Sequence, residues 1–322
     1  MVSKKIIVQQ QKDKLTTIIG IDLGGTRIKA VVINSSGNLL HQQYAATNDG
    51  NDSAWKTTVA STVKQLQKKI DTNETAIGIS APGLVNNNNT AVAFMPGRMQ
   101  GLENFVWSEY LHTKTWVLND AVAALMAEVK IGAAKGKKNV VMLTLGTGVG
   151  GAILINGQPY QGAFGKAGHL GHMVINDEGD PDVTGMPGSL EDAIGNVTIS
   201  KRSGGKYSST HELLKALRNG DEEANKIWSA SVRKLAIGLA SITNILSPET
   251  IVLGGGICEA GADLFGPLEK YMTEYEWRAG GNKATIVKAQ CNDMAGALGA
   301  AFFAMEKWTG NTNSGMDQNW SG

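Results

Sequence analysis

Asp120 follows Asn119 at the end of an apolar run, Trp116-Val117-Leu118. In open α/β sheets, polar groups at the carboxyl end of a strand face the crevice where ligands bind. A carboxylate there can act as a general base, taking the proton of a hydroxyl that attacks phosphorus. It can equally serve as the N-cap of the following helix. A second carboxylate, Asp22, precedes Leu23-Gly24-Gly25-Thr26. Glycine lets backbone N–H groups converge on an anion. The segment therefore reads either as a phosphate loop or as an ordinary glycine hairpin. As a phosphate loop, Asp22 would help hold hydrated Mg²⁺ through water while Thr26 lends a hydroxyl. Gly146-Thr147-Gly148-Val149-Gly150-Gly151 offers a second such turn. No Walker-type lysine follows it and strands flank it on both sides, which argues against a Rossmann turn. At Gly254-Gly255-Gly256 a base or sugar-phosphate could lie against bare backbone, or a strand and helix could simply approach closely. The order of three turns, more than any one of them, argues for a nucleotide.

His169 and His172 lie three residues apart in Gly168-His169-Leu170-Gly171-His172. A zinc site would have to recruit carboxylates such as Asp177, Glu178, Asp180 or Asp182. Hydrogen bonding to a polyhydroxyl substrate suits imidazole, which both donates and accepts; a pair of structural histidines is the plainer alternative. Glu191, in Gly188-Ser189-Leu190-Glu191, is either a sugar ligand or a first-turn carboxylate complementing a helix dipole.

The elements that must position these groups follow from apolar periodicity. Thr16 to Asp22, Ile28 to Ile33 and Leu39 to Tyr44 predict three antiparallel strands. Ser53 to Ile70 predicts a helix and Ala76 to Ser80 a strand before Ala81-Pro82-Gly83. Residues 116–120 predict another strand, with a helix over Ala121 to Ala134. The opening order of strand, glycine turn, strand and turn then returns at Val140 to Gly157, the mark of a duplication. Ala224 to Leu246 predicts a helix stopped by Pro248, Thr250 to Leu253 and Thr285 to Ala289 predict strands, and Met294 to Met305 a closing helix. The polar stretches Met1 to Lys14 and Thr309 to Gly322 read as loose ends.

Composition narrows the function classes. The 322 residues are 42% hydrophobic and 18% charged, enough apolar material for about two domains. A net charge of +1 gives no basic field for nucleic acid. Cys258 and Cys291 form neither a disulfide framework nor a close metal pair, as expected of a reducing compartment. The longest apolar helical stretches carry Glu128, Lys130, Arg233 or Lys234, so neither a membrane span nor a signal peptide is expected. A cytoplasmic protein follows.

The motifs together resemble the ROK family of repressors and sugar kinases. The matching pieces are Asp22-Leu23-Gly24-Gly25-Thr26, Ala81-Pro82-Gly83, Leu118-Asn119-Asp120, residues 145–151, residues 168–172, Gly185 with Gly188 and Glu191, and Leu253-Gly254-Gly255-Gly256. The resemblance implies an α/β fold of two actin-like (RNase H-like) domains with a hinged cleft, expected over residues 1–120 plus 294–308 and over residues 121–293. It implies ATP with Mg²⁺ near Asp22, held by Gly24, Gly25, Thr26, Gly146, Thr147, Gly148, Gly254, Gly255 and Gly256. It makes Asp120 the base and places Gly83, Asn119, His169, His172 and Glu191 around a sugar. A homodimer is expected, and residues 94–107 align with no family feature.

Two departures stand out. His169 occupies a slot where the family usually has Glu, which removes a carboxylate acceptor and bears on sugar choice. Many members also carry a zinc motif, C-x-C-G-x-x-G-C-x-E after a His. Here the cysteine slots hold Asp182, Thr184 and Ser189, so no structural zinc is expected and hydrogen bonds with Pro181 and Pro187 must hold the loop. Only about 17 residues precede the first strand, too few for a helix-turn-helix module. A sensor without turnover and a polyphosphate-dependent kinase are the remaining alternatives.

Overall fold

β1 (Thr17–Leu23) is apolar along nearly its whole length and buried on both faces, as a strand must be when layers cover it on each side. The computed structural model describes residues 17–47, 54–70, 75–95 and 99–310. β1 pairs antiparallel with β2 (Arg27–Ile33) and parallel with β4 (Thr75–Ala81). With β3 (Leu39–Ala46) and β7 (Thr115–Asn119) these form a sheet of order β3-β2-β1-β4-β7. β3 is largely exposed, as an edge strand can be, with His41, Gln42 and Gln43 at its middle.

The described residues fall into two units, one running to Ala127 and resuming at Asp293, the other spanning Glu128–Asn292. In the first, the faces of β1 and β4 separate by parity. Ile19, Ile21, Leu23, Ile77 and Ile79 join a core capped by Trp55, Val59 and Leu66 of α1 (Ala54–Lys69). Gly20, Asp22, Gly78 and Ser80 lie on the opposite face. There Gly78 admits the backbone of the last helix so closely that any Cβ would overlap the Ala300 carbonyl. A short hairpin, β5 (Leu84–Val85) with β6 (Val92–Phe94), and α2 (Trp107–Leu111) complete this unit before β7. Phe105, Trp107 and Tyr110 stack edge-on with Trp55 at their head.

α3 (Asp120–Lys130) starts directly from β7. The division between units falls inside α3 and not at Asp120, as the sequence had indicated. The reason is packing: Gly299 of the last helix lies against the backbone of Ala123 and Ala127, which ties the first turns of α3 to the first unit.

The second unit repeats the order of strands. β8 (Val140–Leu145), β9 (Val149–Ile155), β10 (Gln158–Pro159), β11 (Thr250–Gly254) and β12 (Thr285–Lys288) form a sheet of order β10-β9-β8-β11-β12. β8 pairs antiparallel with β9 and parallel with β11, as β1 does with β2 and β4. Its core gathers Val141, Leu143, Ile251 and Leu253 with Trp228, Val232, Leu235 and Leu239 of a long helix. Three short helices precede that helix: α4 (Leu190–Ile194), α5 (Ile199–Arg202) and α6 (Thr210–Arg218). The long helix itself, α7 (Glu222–Leu246), is N-capped by Asp221, whose carboxylate accepts the Ala224 N–H at 2.9 Å.

α8 (Ala262–Tyr275) packs on α7, with Trp228 Nε1 donating to the Asp263 carbonyl. α9 (Ala295–Thr309) closes the chain on the first unit. The predicted elements are present with no end shifted by more than four residues, whereas α6, α8 and the β5–β6 hairpin lie outside the periodic signals of the sequence. The expected loose ends fall outside the described residues except at Thr309, the last residue of α9, and Gly310, its C-cap.

Candidate functional site

In the first unit the β1–β2 hairpin sets Asp22 opposite Lys29, and the parallel pairing of β1 with β4 sets it beside Ser80. Ser80 Oγ donates to Asp22 Oδ1 at 2.8 Å, and Lys29 Nζ lies 3.3 Å from Asp22 Oδ2. Lys29 also reaches Asp293 Oδ1 at 3.0 Å, and Arg27 pairs with Asp293 at 3.1 Å. Although burial works against its charge, Asp22 and Asp293 hold the Lys29 ammonium above its ordinary value. Asp22 is thus fixed in place, while Gly296 at the start of α9 packs against its carboxylate. Gly24, Gly25 and Thr26 line an open cavity of about 700 Å³ together with Arg27, Lys29 and Tyr44. Among the described residues the N–H groups of Gly25 and Thr26 meet no main-chain carbonyl, whereas the Gly24 carbonyl accepts the Thr47 hydroxyl.

Asn119 and Asp120 divide the tasks that the sequence left open. Asn119 Oδ1 accepts the Ala121 N–H at 3.0 Å and its Nδ2 donates to the Gly83 carbonyl at 3.0 Å. The helix is therefore capped mainly by Asn119, whose side chain also bonds the Asp120 carboxylate. Gly83 takes φ +95°, with the Phe94 carbonyl and Met95 packed where a Cβ would stand. Asp120 Oδ1 accepts the Ala121 N–H at 2.8 Å, and the Asn119 side chain also bonds the carboxylate. Solvent reaches Asp120, yet the protein mass around it strips hydration and pushes its carboxyl above the usual carboxylate range. The Ala121 N–H opposes this, and the Asp22 charge adds to it.

In the second unit the glycine turn between β8 and β9 is bound to Glu191. Glu191 Oε2 accepts the Val149 N–H at 2.8 Å and fills the space where a Gly148 side chain would lie. The Gly146 and Thr147 carbonyls accept the N–H groups of Asn196 and Val197. The N–H groups of Thr147 and Gly148 meet no carbonyl among the described residues, so two donors of this turn stay open. Gly255, at φ +89°, lies against the backbone of Leu145, which is the close-approach reading of that turn. Gly256 has open space where a side chain would go, which leaves it available to a ligand.

The histidine segment runs along β9. Gly168 lies on Gly151 and Ala152, and Gly171 on the Val149 carbonyl. His169 is held neutral by burial and by the neighbouring His172, both of which lower its pKa. His172 Nδ1 lies 2.8 Å from Asp182 Oδ2. The residues in the expected cysteine slots all have partners: Asp182 Oδ1 accepts from Thr184 N at 2.8 Å and Thr184 Oγ1 at 2.7 Å, while Ser189 caps α4 through the Asp192 N–H. Pro181 and Pro187 form a bridge that closes the loop. Among the described residues no group of three or more His, Cys, Asp or Glu side chains is placed to hold a metal.

Sequence reasoning missed Lys29, Ser80 and Asp293, and it read Asp182 only as a candidate zinc carboxylate or a vacated metal slot. A signal for Lys29 existed: in a hairpin centred on Gly25-Thr26, residues equidistant from the turn face each other, so Asp22 and Lys29 are cross-strand partners of opposite charge. Asp293 carries no local signal, because it arrives from the far end of the chain.

Comparison with known proteins bears on these features. A model described as the ROK family matches residues 18–307. A glucokinase of Thermotoga maritima is 30% identical over 314 residues, covering 90% of this chain and 98% of that protein. An N-acetylmannosamine kinase of Yersinia pseudotuberculosis is 27% identical over 294 residues, covering 89% and 97%. A glucokinase structure from Streptomyces griseus, solved in complex with glucose and AMPPNP, superposes with a TM-score of 0.72 at 26% identity, covering 91% of this chain and 99% of that one.

Proposed function

Because this chain belongs to the ROK family, we propose that it is an ATP-dependent sugar kinase, which transfers the γ-phosphoryl group of Mg-ATP to a hydroxyl of a glucose-like hexose. The observation that carries this reading is the contrast between two carboxylates of the first unit. Asp22 is pinned by Ser80 and Lys29, while Asp120 has no cationic partner among the described residues and is raised in pKa. A fixed anion suits a hydrated cation, and a raised carboxylate suits a base. The Asp22 oxygens already carry a hydroxyl and an ammonium, so they fit Mg²⁺ through its water shell. Mg²⁺ neutralises charge on the β- and γ-phosphates when bound.

In this mechanism Asp120 accepts the proton of the attacking hydroxyl as its oxygen bonds to the γ-phosphorus. The bond from that phosphorus to the bridging oxygen breaks, and ADP leaves. The open N–H groups of Gly25, Thr26, Thr147 and Gly148 bind phosphate oxygens, and Thr26 adds its hydroxyl. Gly256 gives the nucleotide a bare surface. Asn119, His169, His172, Glu191 and Gly83 orient the sugar. The repeated strand order supports a duplication, with the two units acting as hinged halves that close over both substrates. We place the enzyme in the cytoplasm as a homodimer, without structural zinc, in keeping with the family resemblance and the engaged slots at Asp182, Thr184 and Ser189.

Glucose is favoured over N-acetylmannosamine by the higher identity to the glucokinase. ADP release with Mg-ATP over glucose, mannose and their N-acetylamino counterparts tests the reading, with Asp120→Asn as control. Turnover on one sugar that collapses in the variant supports it. Sugar-dependent thermal stabilisation without ADP would instead favour a sensor, the reading to which His169 in place of the family Glu lends weight.

A further inference from the structure

His172 has two ring nitrogens, and the structure accounts for one of them. Nδ1 lies 2.8 Å from Asp182 Oδ2, while Nε2 meets no partner among the described residues. The Asp182 side chain is fully buried. Its other oxygen is pinned by three donors: Thr184 N at 2.8 Å, Thr184 Oγ1 at 2.7 Å and Met186 N at 3.1 Å. Backbone bonds from Asp182 N to the Met186 carbonyl and from Gly185 N to the Asp182 carbonyl, both 2.9 Å, fix the loop that carries it. Although burial opposes its charge, the Thr184 hydroxyl, His172 and the loop N–H groups keep the carboxyl well below the usual carboxylate range. An ionised carboxylate only accepts.

We propose that Asp182 is a positioning residue that holds the His172 proton on Nδ1 and so presents Nε2 as a bare hydrogen-bond acceptor toward the sugar. The site then requires a hydroxyl that donates at that point and discriminates against a sugar carrying only an acceptor there. The sugar clause rests on the kinase reading; the tautomer clause does not.

The geometry makes the test sharp. In Asp182→Asn the three donors still demand an oxygen at the Oδ1 position, which turns the amide NH₂ toward His172 Nδ1. That nitrogen must then accept, and the proton moves to Nε2. Nitrogen-15 correlation spectra of the full-length protein with labelled histidine, assigned with His172→Gln, read the tautomer directly. The expected result is Nδ1–H in the wild type and Nε2–H in Asp182→Asn. A wild-type Nε2–H signal, or one tautomer in both proteins, overturns the proposal. Thr184→Val, which removes only the hydroxyl donor, is the milder variant and keeps the Nδ1–H form.

Kinetics then test the sugar clause. Asp182→Asn lowers kcat/KM for the sugar by about 10- to 100-fold, mainly through KM. Among monofluoro-deoxy analogues, which accept but do not donate, one ring position is rejected by the wild type at least about tenfold more strongly than by Asp182→Asn. Equal rejection by both proteins overturns that clause. If the wild type turns over no sugar at all, the kinase reading fails, and the tautomer spectra alone decide the role of Asp182.

Discussion

Asp120 carries two opposed demands. Crowding by the protein raises its carboxyl pKa, which makes the ionised form a better proton acceptor and a worse occupant of the fold. The folded state binds this proton more tightly than the unfolded chain, so the contribution to stability is complete below the unfolded value of 3.8. It is lost as pH rises through the folded value. Asp120→Asn is therefore expected to lose about 10²–10⁴-fold in turnover. Its Tm relative to wild type should rise between pH 4 and pH 7, as followed by thermal melts across that window. In the wild type the acid limb of kcat/KM should lie above the ordinary Asp range, and a limb near pH 3.8 would remove Asp120 from the role of base. Asp120, Asn119, Glu191 and both histidines were legible in the sequence because each sits in a short motif whose neighbours define its place. What each one touches was not. Asn119 proves to be the main helix cap and Glu191 the partner of Val149, since these contacts depend on how a strand end meets a helix start or a distant turn.

At the scale of elements, the three glycine turns are distinguishable by what surrounds them. Gly255→Ala would drive a Cβ into the Leu145 backbone at a positive φ, so a loss of about 2–4 kcal/mol is expected in denaturant titration. Gly256→Ala meets open space, so its stability should match wild type. If nucleotide lies there, KM for ATP rises with no change in sugar KM, and unchanged nucleotide kinetics would exclude that contact. A third element has no glycine at all. Glu128, fully buried near the end of α3, accepts the N–H groups of Ala133, Gln290 and Cys291 at 2.7–2.8 Å. Glu128→Ala leaves three part-buried donors without their partner and is expected to cost about 2–4 kcal/mol, again measured by denaturant unfolding. Strands and their turns were readable because alternating or continuous apolar runs end at glycine. α8 escaped because Pro267 and Gly266 interrupt its pattern, and α2 escaped because Trp107 and the preceding Phe105 are placed by an aromatic cluster with Trp55 of α1.

At the scale of the whole molecule, each unit has its own apolar cluster, and the first is completed by a helix from the far end of the chain. The Gly78 and Gly20 contacts with α9 mean that β1 and β4 have no covered second face until α9 arrives. Folding of the first unit must therefore wait for the C-terminal helix, whereas the second unit is continuous in sequence and draws its core from residues 141–284. This asymmetry predicts unequal sensitivity. Gly78→Ala, which would force the α9 backbone away from the sheet, should remove about 3 kcal/mol or more from the first unit. Scanning calorimetry should then show two transitions, only one of them lowered relative to wild type. The cysteines give an independent reporter for the other unit. Cys258 and Cys291 both belong to it, and burial pushes each thiol up to about 12, with Glu128 adding to the effect at Cys291. Neither should react with a thiol reagent at pH 8 while that unit is folded, and both should react once it unfolds. Held between the two transitions of Gly78→Ala, the protein should keep its thiols protected after the first unit has melted. Thiols released together with the first transition would mean that the two clusters unfold as one.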